Sequence, residues 1–349
     1  MKYSVKVAIF CIVVLGGIMA FLFWQRMIKP AAPDESGKIP VIPVSALGPF
    51  PVKPDRTNRT NGAVSVSVPE DMIRDDTHPF NVSKPVAIIL GLDKTKKDYK
   101  SRVKALRELT RDLQENDKLA LLHFLDAKSV AQKDMRPLEF NGLKNDVLDV
   151  LLRQNQVPSG ISKQLVSMYR DSGQDDVWRD YCVQYMSVCY EATKPTGVAS
   201  NAPDMTRKEI ETAYWDAARE TDKTIAGTSL IALEQLSRTH PEFDRDKVTH
   251  AALETVANDH CAEAPRITAL RICAMTGAND VLPSARILAQ TGETIPLRMA
   301  AVATVGDLGG REDVELLKSM AADSEKRISN IASSAVARLT LRLAKKEGQ

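Results

Sequence analysis

Aromatic residues and net charge are both scarce in this chain. Phe, Trp and Tyr make up 5% of its 349 residues, while Ala and Leu crowd the second half, a bias that suits close helix-on-helix packing better than a β-sandwich. Lys and Arg number 47 against 45 Asp and Glu, a formal charge of +2. No global field therefore favours a polyanion, and no nucleic-acid partner is expected. The short motifs of common chemistries are missing too. There is no Walker loop, no GxGxxG after a strand and no G-x-S-x-G elbow, so no catalytic residue and no cofactor are expected. No C-x-x-C or H-x-x-x-H pair frames His250, His260 and Cys261 in THAALETVANDHC, and Glu254 reads there as a helix-face acid, so no metal is expected either.

What the chain does have begins with VAIFCIVVLGGIMAFLFW, Val7 to Trp24, eighteen residues without a charge. A helix needs ~20 such residues to cross a bilayer. Lys2 and Lys6 precede the run, Arg26 and Lys29 follow it, and Trp24 stands where an interfacial aromatic is favoured. The competing reading is a cleaved signal peptide. The run continues past Ala20, and Ile18 spoils an A-x-A-like cleavage site, so an uncleaved signal-anchor is preferred. It would make this a single-pass membrane protein, expected in a bacterial inner membrane with its C-terminal domain extracytoplasmic.

Between Pro30 and Pro85 lie ten of the eighteen prolines, which disfavour helix and favour extended spacing. Within this tether, Val64, Val66 and Val68 alternate with small residues as one short strand would. Beyond Asp98 the composition turns to helix formers, with helices expected at 101–113, 117–127, 143–153, 161–170, 177–191 and 207–219. Loops are expected at MRPLEFN, QVPSG and TKPTGVASNAPDMT. The predicted domains are thus a transmembrane helix at 1–28, a Pro-rich linker at 29–97, mostly extended or disordered, and a helical domain at 98–349.

Self-similarity defines that domain. SLIALEQLSRTH from Ser229, RITALRICAMTG from Arg266, RMAAVATVGDLG from Arg298 and RISNIASSAVAR from Arg327 are offset by 37, 32 and 29 residues. The small Ala232, Ala269 and Ala301 recur between apolar positions, and Asn330 departs. Second helices with apolar faces lie between the copies, among them DRDKVTHAALETVA, NDVLPSARILAQ and EDVELLKSMAA. Two helices every 30 to 40 residues is the spacing of stacked helical repeats.

The stretch PLRMAAVATVGDLGGREDVELLKSMAAD resembles the HEAT-like repeats also found in the bilin-lyase group, in which an R-x-A-A helix ends in a G-x-L-G-like turn before a second helix. The resemblance covers about Thr228 to Ala344 and is weaker at WRDYCVQYM, where Arg179 matches Arg298, Cys182 matches Ala301 and Met186 matches Val305. It implies an all-α, HEAT-like α-solenoid of stacked antiparallel helix pairs. Acids preceding each Arg are also family-like: Asp176 with Arg179, Glu263 with Arg266, Glu293 with Arg298 and Asp323 with Arg327. We expect them to form a structural ladder between repeats.

Cys182 and Cys273 fall on core positions of the repeat. Cys182 and Cys189, seven apart on one helix, are ~10 Å apart along its axis, too far for a disulfide. Trp178, Tyr181, Tyr185, Tyr190 and Trp215 are the candidate protein-binding surface, since aromatic residues are enriched at interface hot spots. The expected function is a membrane-tethered scaffold that binds a protein partner without catalysis. The alternative is a lyase-like enzyme or small-ligand carrier with a pocket on the solenoid.

Overall fold

The structure, a computed structural model, describes residues 72–73, 81–128, 135–192 and 205–347, all within a compact unit spanning residues 67–349. The expected anchor at 7–24, the strand at 64–68 and most of the linker lie outside the described residues. Among the described residues no helix is long and apolar enough to cross a membrane.

The described chain is all-α apart from a two-residue antiparallel bridge, Met72–Ile73 with Val82–Ser83. Its helices are α1 (Lys84–Leu90), α2 (Tyr99–Arg107), α3 (Glu115–Leu125), α4 (Pro137–Leu152), α5 (Ile161–Arg170), α6 (Asp176–Ala192), α7 (Met205–Ala217), α8 (Thr224–Ser237), α9 (Arg245–Ala257), α10 (Glu263–Thr276), α11 (Leu282–Thr291), α12 (Ile295–Leu308), α13 (Val314–Ala321) and α14 (Lys326–Glu347). The even-numbered helices pack on one another in chain order, from α2 on α4 to α12 on α14, and each also packs on the odd-numbered helix before it. The result is a solenoid-like stack of helix pairs. Each pair buries its apolar face only against its neighbours.

The repeat is visible in the core. Pro265, Arg266, Ala269, Leu270, Ile272 and Cys273 are buried on α10, and the residues 32 further on, Leu297 to Val305 in the same order, are buried on α12 apart from the half-buried Arg298. Trp178, Arg179, Cys182, Val183 and Met186 repeat the pattern on α6. The last copy sits in a different register from the expected one. Ile328, Ala332, Ala335 and Leu339 are its buried positions, and Asn330 and Arg327 are exposed. Ser329 therefore takes the place assigned to Arg327, which puts Ala332 where Ala301 lies and accounts for the apparent departure at Asn330. Gly306 allows the close approach this requires, because a Cβ there would lie 2.5 Å from the Cβ of Ala335.

Some boundaries also differ from expectation. The array starts ahead of residue 98: α1 lies in the predicted linker and buries Val86, Ala87, Ile88 and Ile89. Pro85 is in its first turn, and Pro137 is in the first turn of α4, where a missing N–H leaves no bond unmade. MRPLEFN thus opens a helix rather than forming a loop. Helix α2 stops at Arg107 instead of continuing to 113, because Gln154 ties the following turn down. Its amide accepts from Leu113 N–H at 2.9 Å and donates to Thr110 O at 3.0 Å.

Candidate functional site

Basic side chains close the helix pairs. The fourth residue of α2, α6, α10 and α12 is Arg102, Arg179, Arg266 and Arg298. Each donates back to a carbonyl near the C-terminus of the preceding helix: to Ile89 O at 3.4 Å, Tyr169 O at 2.7 Å, Val256 O at 3.3 Å and Ala289 O at 3.1 Å, respectively. The last carbonyls of a helix lack intrahelical donors and carry partial negative charge, so a cation there supplies both a bond and an attraction. On α4, Lys144 does this from one turn further along, its Nζ donating to Ala127 O at 2.9 Å. On α14 the Ser329 hydroxyl donates to Ala321 O at 2.5 Å. The equivalent residue of α8 is Gly227, where even a Cβ would lie 3.3 Å from the Cα of Pro265. No arginine fits there.

The acidic half of the ladder differs from the sequence expectation. Arg179 does bond Asp176, at 3.1 Å, and also Glu220 beyond α7, at 2.7 Å. Arg266 meets Asp259 at 3.4 Å rather than Glu263, whose carboxylate accepts from Thr294 Oγ1 at 2.7 Å. Arg298 reaches forward to Asp323 at 2.8 Å rather than back to Glu293. Arg327 is exposed and pairs with its neighbour Glu325 at 3.0 Å. Sequence spacing found three of these basic positions and missed Arg102 and Lys144. The acid at Asp98, four residues before Arg102, was the available signal for the first.

Two of the five aromatic candidates are core residues and offer no surface. Trp178 is fully buried beneath Lys144, whose Nζ is 4.2 Å from the indole centroid and donates also to Gln174 Oε1 at 3.1 Å. Burial lowers the Lys144 pKa to about 7, against the pull of Cys182, Asp126 and Asp175. Tyr190 is likewise buried: its hydroxyl donates to Glu242, and the Arg207 guanidinium lies 4.0 Å from its ring centroid. Arg207 can only donate, so His240 Nδ1 accepts from it at 3.3 Å and Nε2–H donates to Glu191 at 2.6 Å.

The other three candidates reach solvent, at two separate places. Trp215 on α7 lines an open groove of about 370 Å³ beside α9, with Lys247, His250, Glu254 and Asn258, and Lys247 Nζ lies 4.1 Å from its ring centroid. His250 Nδ1 and Glu254 Oε1 are 3.6 Å apart. Among the described residues no three His, Cys, Asp or Glu side chains converge as a metal-ligand set.

Tyr181 and Tyr185, one turn apart and half-buried on α6, form the second place. Helix α4 packs between α6 and α2. From it Asp146 acts electrostatically on both tyrosines and on Tyr99 of α2. Tyr99 leans over α4, its hydroxyl 3.5 Å from where a Cβ on Gly142 would lie. Burial is the main cause raising all three phenol pKa values. Partial loss of solvation also raises the Asp146 carboxyl, although it remains open to water. None of the three hydroxyls has a hydrogen-bond partner among the described residues, whereas Tyr169, Tyr190 and Tyr214 all do. Tyr99 and Asp146 were not among the sequence candidates, because nothing local links α2, α4 and α6.

Cys182, Cys189, Cys261 and Cys273 are all buried and free. Burial pushes the Cys189 thiol up to about 11 and Cys273 up to about 12.

No protein-family model matches the chain, and no curated protein matches it. A similar solved structure is human deoxyhypusine hydroxylase in complex with glycerol, at 15% identity, with a TM-score of 0.26 and coverage of 74% of this chain and 96% of that one. A likeness at that TM-score carries no argument about function.

Proposed function

We propose that this chain is a membrane-tethered HEAT-like repeat scaffold that binds a protein partner, held by a signal-anchor at residues 7–24 with its helical domain extracytoplasmic in a bacterial envelope. The observation that supports partner binding is the face made by Tyr99, Tyr181 and Tyr185. Helices α2 and α6, on either side of α4, present aromatic rings there, with hydroxyls that no other described side chain engages. Aromatic residues of this kind bring large contact area at little conformational cost, and an open polar tip gives them direction. A tether confines such a face near the bilayer and raises its effective concentration for partners there. The test is in-membrane crosslinking of the full chain, with mass spectrometry of what is captured and a chain ending at residue 80 as control. A stoichiometric partner lost with the helical domain, and weakened by Tyr181→Ala with Tyr185→Ala, is the expected result. Capture equal to the control background would refute the proposal.

A second reading, a small-ligand carrier or enzyme, is supported by the groove beside Trp215, whose volume is in the range of small-molecule sites. A thermal-shift screen of the purified chain tests it. A hit that Trp215→Ala abolishes would favour this reading over the scaffold.

A further inference from the structure

Four other aromatic rings of this domain, the buried Trp178, Tyr190 and Tyr169 and the half-buried Trp215, already hold a cation. Lys144 lies over Trp178 at 4.2 Å, Arg207 over Tyr190 at 4.0 Å, Lys247 over Trp215 at 4.1 Å and Arg179 over Tyr169 at 5.4 Å. Charge is matched just as closely, since each arginine of the pair-closing row has a carboxylate partner or a carbonyl. The face at α2, α4 and α6 breaks both habits. No Lys or Arg lies over the ring of Tyr99, Tyr181 or Tyr185 among the described residues, and no cation reaches ion-pair distance of Asp146. Lys144, two residues before Asp146, is buried over Trp178, and Arg153 bonds Asp149 one turn back. Arg107 and Arg153 attract the carboxylate only from further away, and Arg153 acts in the same way on Tyr185.

The rings, the hydroxyls and the carboxylate are complementary to one kind of group. The negative face of a tyrosine ring attracts an ammonium or guanidinium, the free phenol oxygens accept its N–H groups, and Asp146 supplies the counter-charge. Gly142, one turn before Asp146 on α4, is where the Tyr99 hydroxyl comes against that helix, 3.5 Å from the position of a Cβ. We infer that the face formed by Tyr99, Asp146, Tyr181 and Tyr185 receives a lysine or arginine side chain from a basic segment of the partner. This inference rests on the scaffold reading and names the chemistry of its partner.

The test is fluorescence anisotropy of the purified full-length chain in detergent, with fluorescein-labelled tetralysine as probe and tetraglutamate as control, at about 0.15 M salt so that diffuse surface charge is screened. Tetralysine should bind and tetraglutamate should not. Asp146→Asn should weaken binding about fivefold or more, and Tyr181→Leu with Tyr185→Leu should weaken it by a similar factor. Tyr181→Phe with Tyr185→Phe should retain most of it, because the rings remain. Glu315→Gln, on the distant α13, should change nothing. No binding by the wild type, no effect of Asp146→Asn, or an equal effect of Glu315→Gln would overturn the inference. A crosslinked partner whose capture ignores Asp146→Asn would overturn it while leaving the scaffold standing. Tetralysine binding lost in Asp146→Asn with no partner captured would do the reverse.

Discussion

Replacing Lys144 by methionine should change the pH dependence of stability more than the stability itself. The Lys144 side chain is 1% exposed, and its pKa falls from the ordinary 10.5 to about 7 in the folded state. That difference corresponds to about 5 kcal/mol disfavouring the charged, folded form. It is an upper bound, because Ala127 O, Gln174 Oε1 and the Trp178 face all stabilise the ammonium. The group's folded pKa lies below its unfolded one, so between pH 7 and 10.5 the unfolded chain binds more protons. Stability must therefore rise with pH across that window, and the penalty is fully present below pH 7. From pH 7 to pH 9 the gain is about 2 kcal/mol, or on the order of 5 °C in melting temperature for a domain of this size. Denaturant unfolding of the wild type and of Lys144→Met at both pH values measures it. The wild type should gain about 2 kcal/mol relative to the variant on going to pH 9. Methionine fills the same space without a charge, so it should cost little at pH 7 even though the bond to Ala127 is lost. Parallel pH profiles for the two proteins would refute the reasoning, and would mean that the two carbonyls and the indole fully replace the lost water.

Other expectations follow from the pair-closing row and the core. Arg298→Met should destabilise by about 2 kcal/mol, since it removes the side-chain donor to the Ala289 carbonyl and the guanidinium partner of Asp323, while Arg327→Met should change stability by less than about 0.5 kcal/mol. Equal effects in denaturant melts would restore the register expected from sequence. Gly306→Val should cost about 1–3 kcal/mol through overpacking against Ala335, visible as a lower melting temperature; an unchanged value would show that α14 can move away. In the folded protein Cys182, Cys189 and Cys273 should resist maleimide at neutral pH and react on unfolding. Fast labelling of any of them, read by mass spectrometry, would contradict their burial.

How much of this was legible in the sequence depended on how local the cause was. Helix α5 runs from Ile161 to Arg170 in the structure as expected, because QVPSG before it and the Asp-Ser-Gly after it are short-range signals. The shared register of α6, α10 and α12 was readable from Arg179, Arg266 and Arg298, which stand at the same depth in their helices. Misreadings arose where one residue type serves two purposes. Pro85 and Pro137 looked like breakers and proved to be helix starts. Arg327 looked like a fourth arginine because Ile328 and Ile331 mimic the apolar spacing, but the face that packs on α12 is set by Gly306 and Ala335. Trp178 and Tyr190 looked like contact residues, yet each has its polar or cationic partner inside the fold. The grouping of Tyr99 and Asp146 with Tyr181 and Tyr185 came from the stacking of three helices, which no local spacing encodes.

The pair-closing contacts also bear on how stiffness is distributed. Where Arg or Lys grips the end of the preceding helix, opening a pair means breaking a charge-assisted bond in a buried place, so the two helices should fluctuate as one body. The α13–α14 pair is closed by the neutral Ser329 hydroxyl instead, and the α7–α8 pair also lacks that grip. Gly227 leaves it with the neutral bond from Ser229 Oγ to Tyr214 O at 2.6 Å, and the groove beside Trp215 opens along α7. The stack is therefore more compliant at α7–α8, and bending there would widen or narrow the groove; because α6 packs directly on α8, the same bending would be felt at Tyr181 and Tyr185.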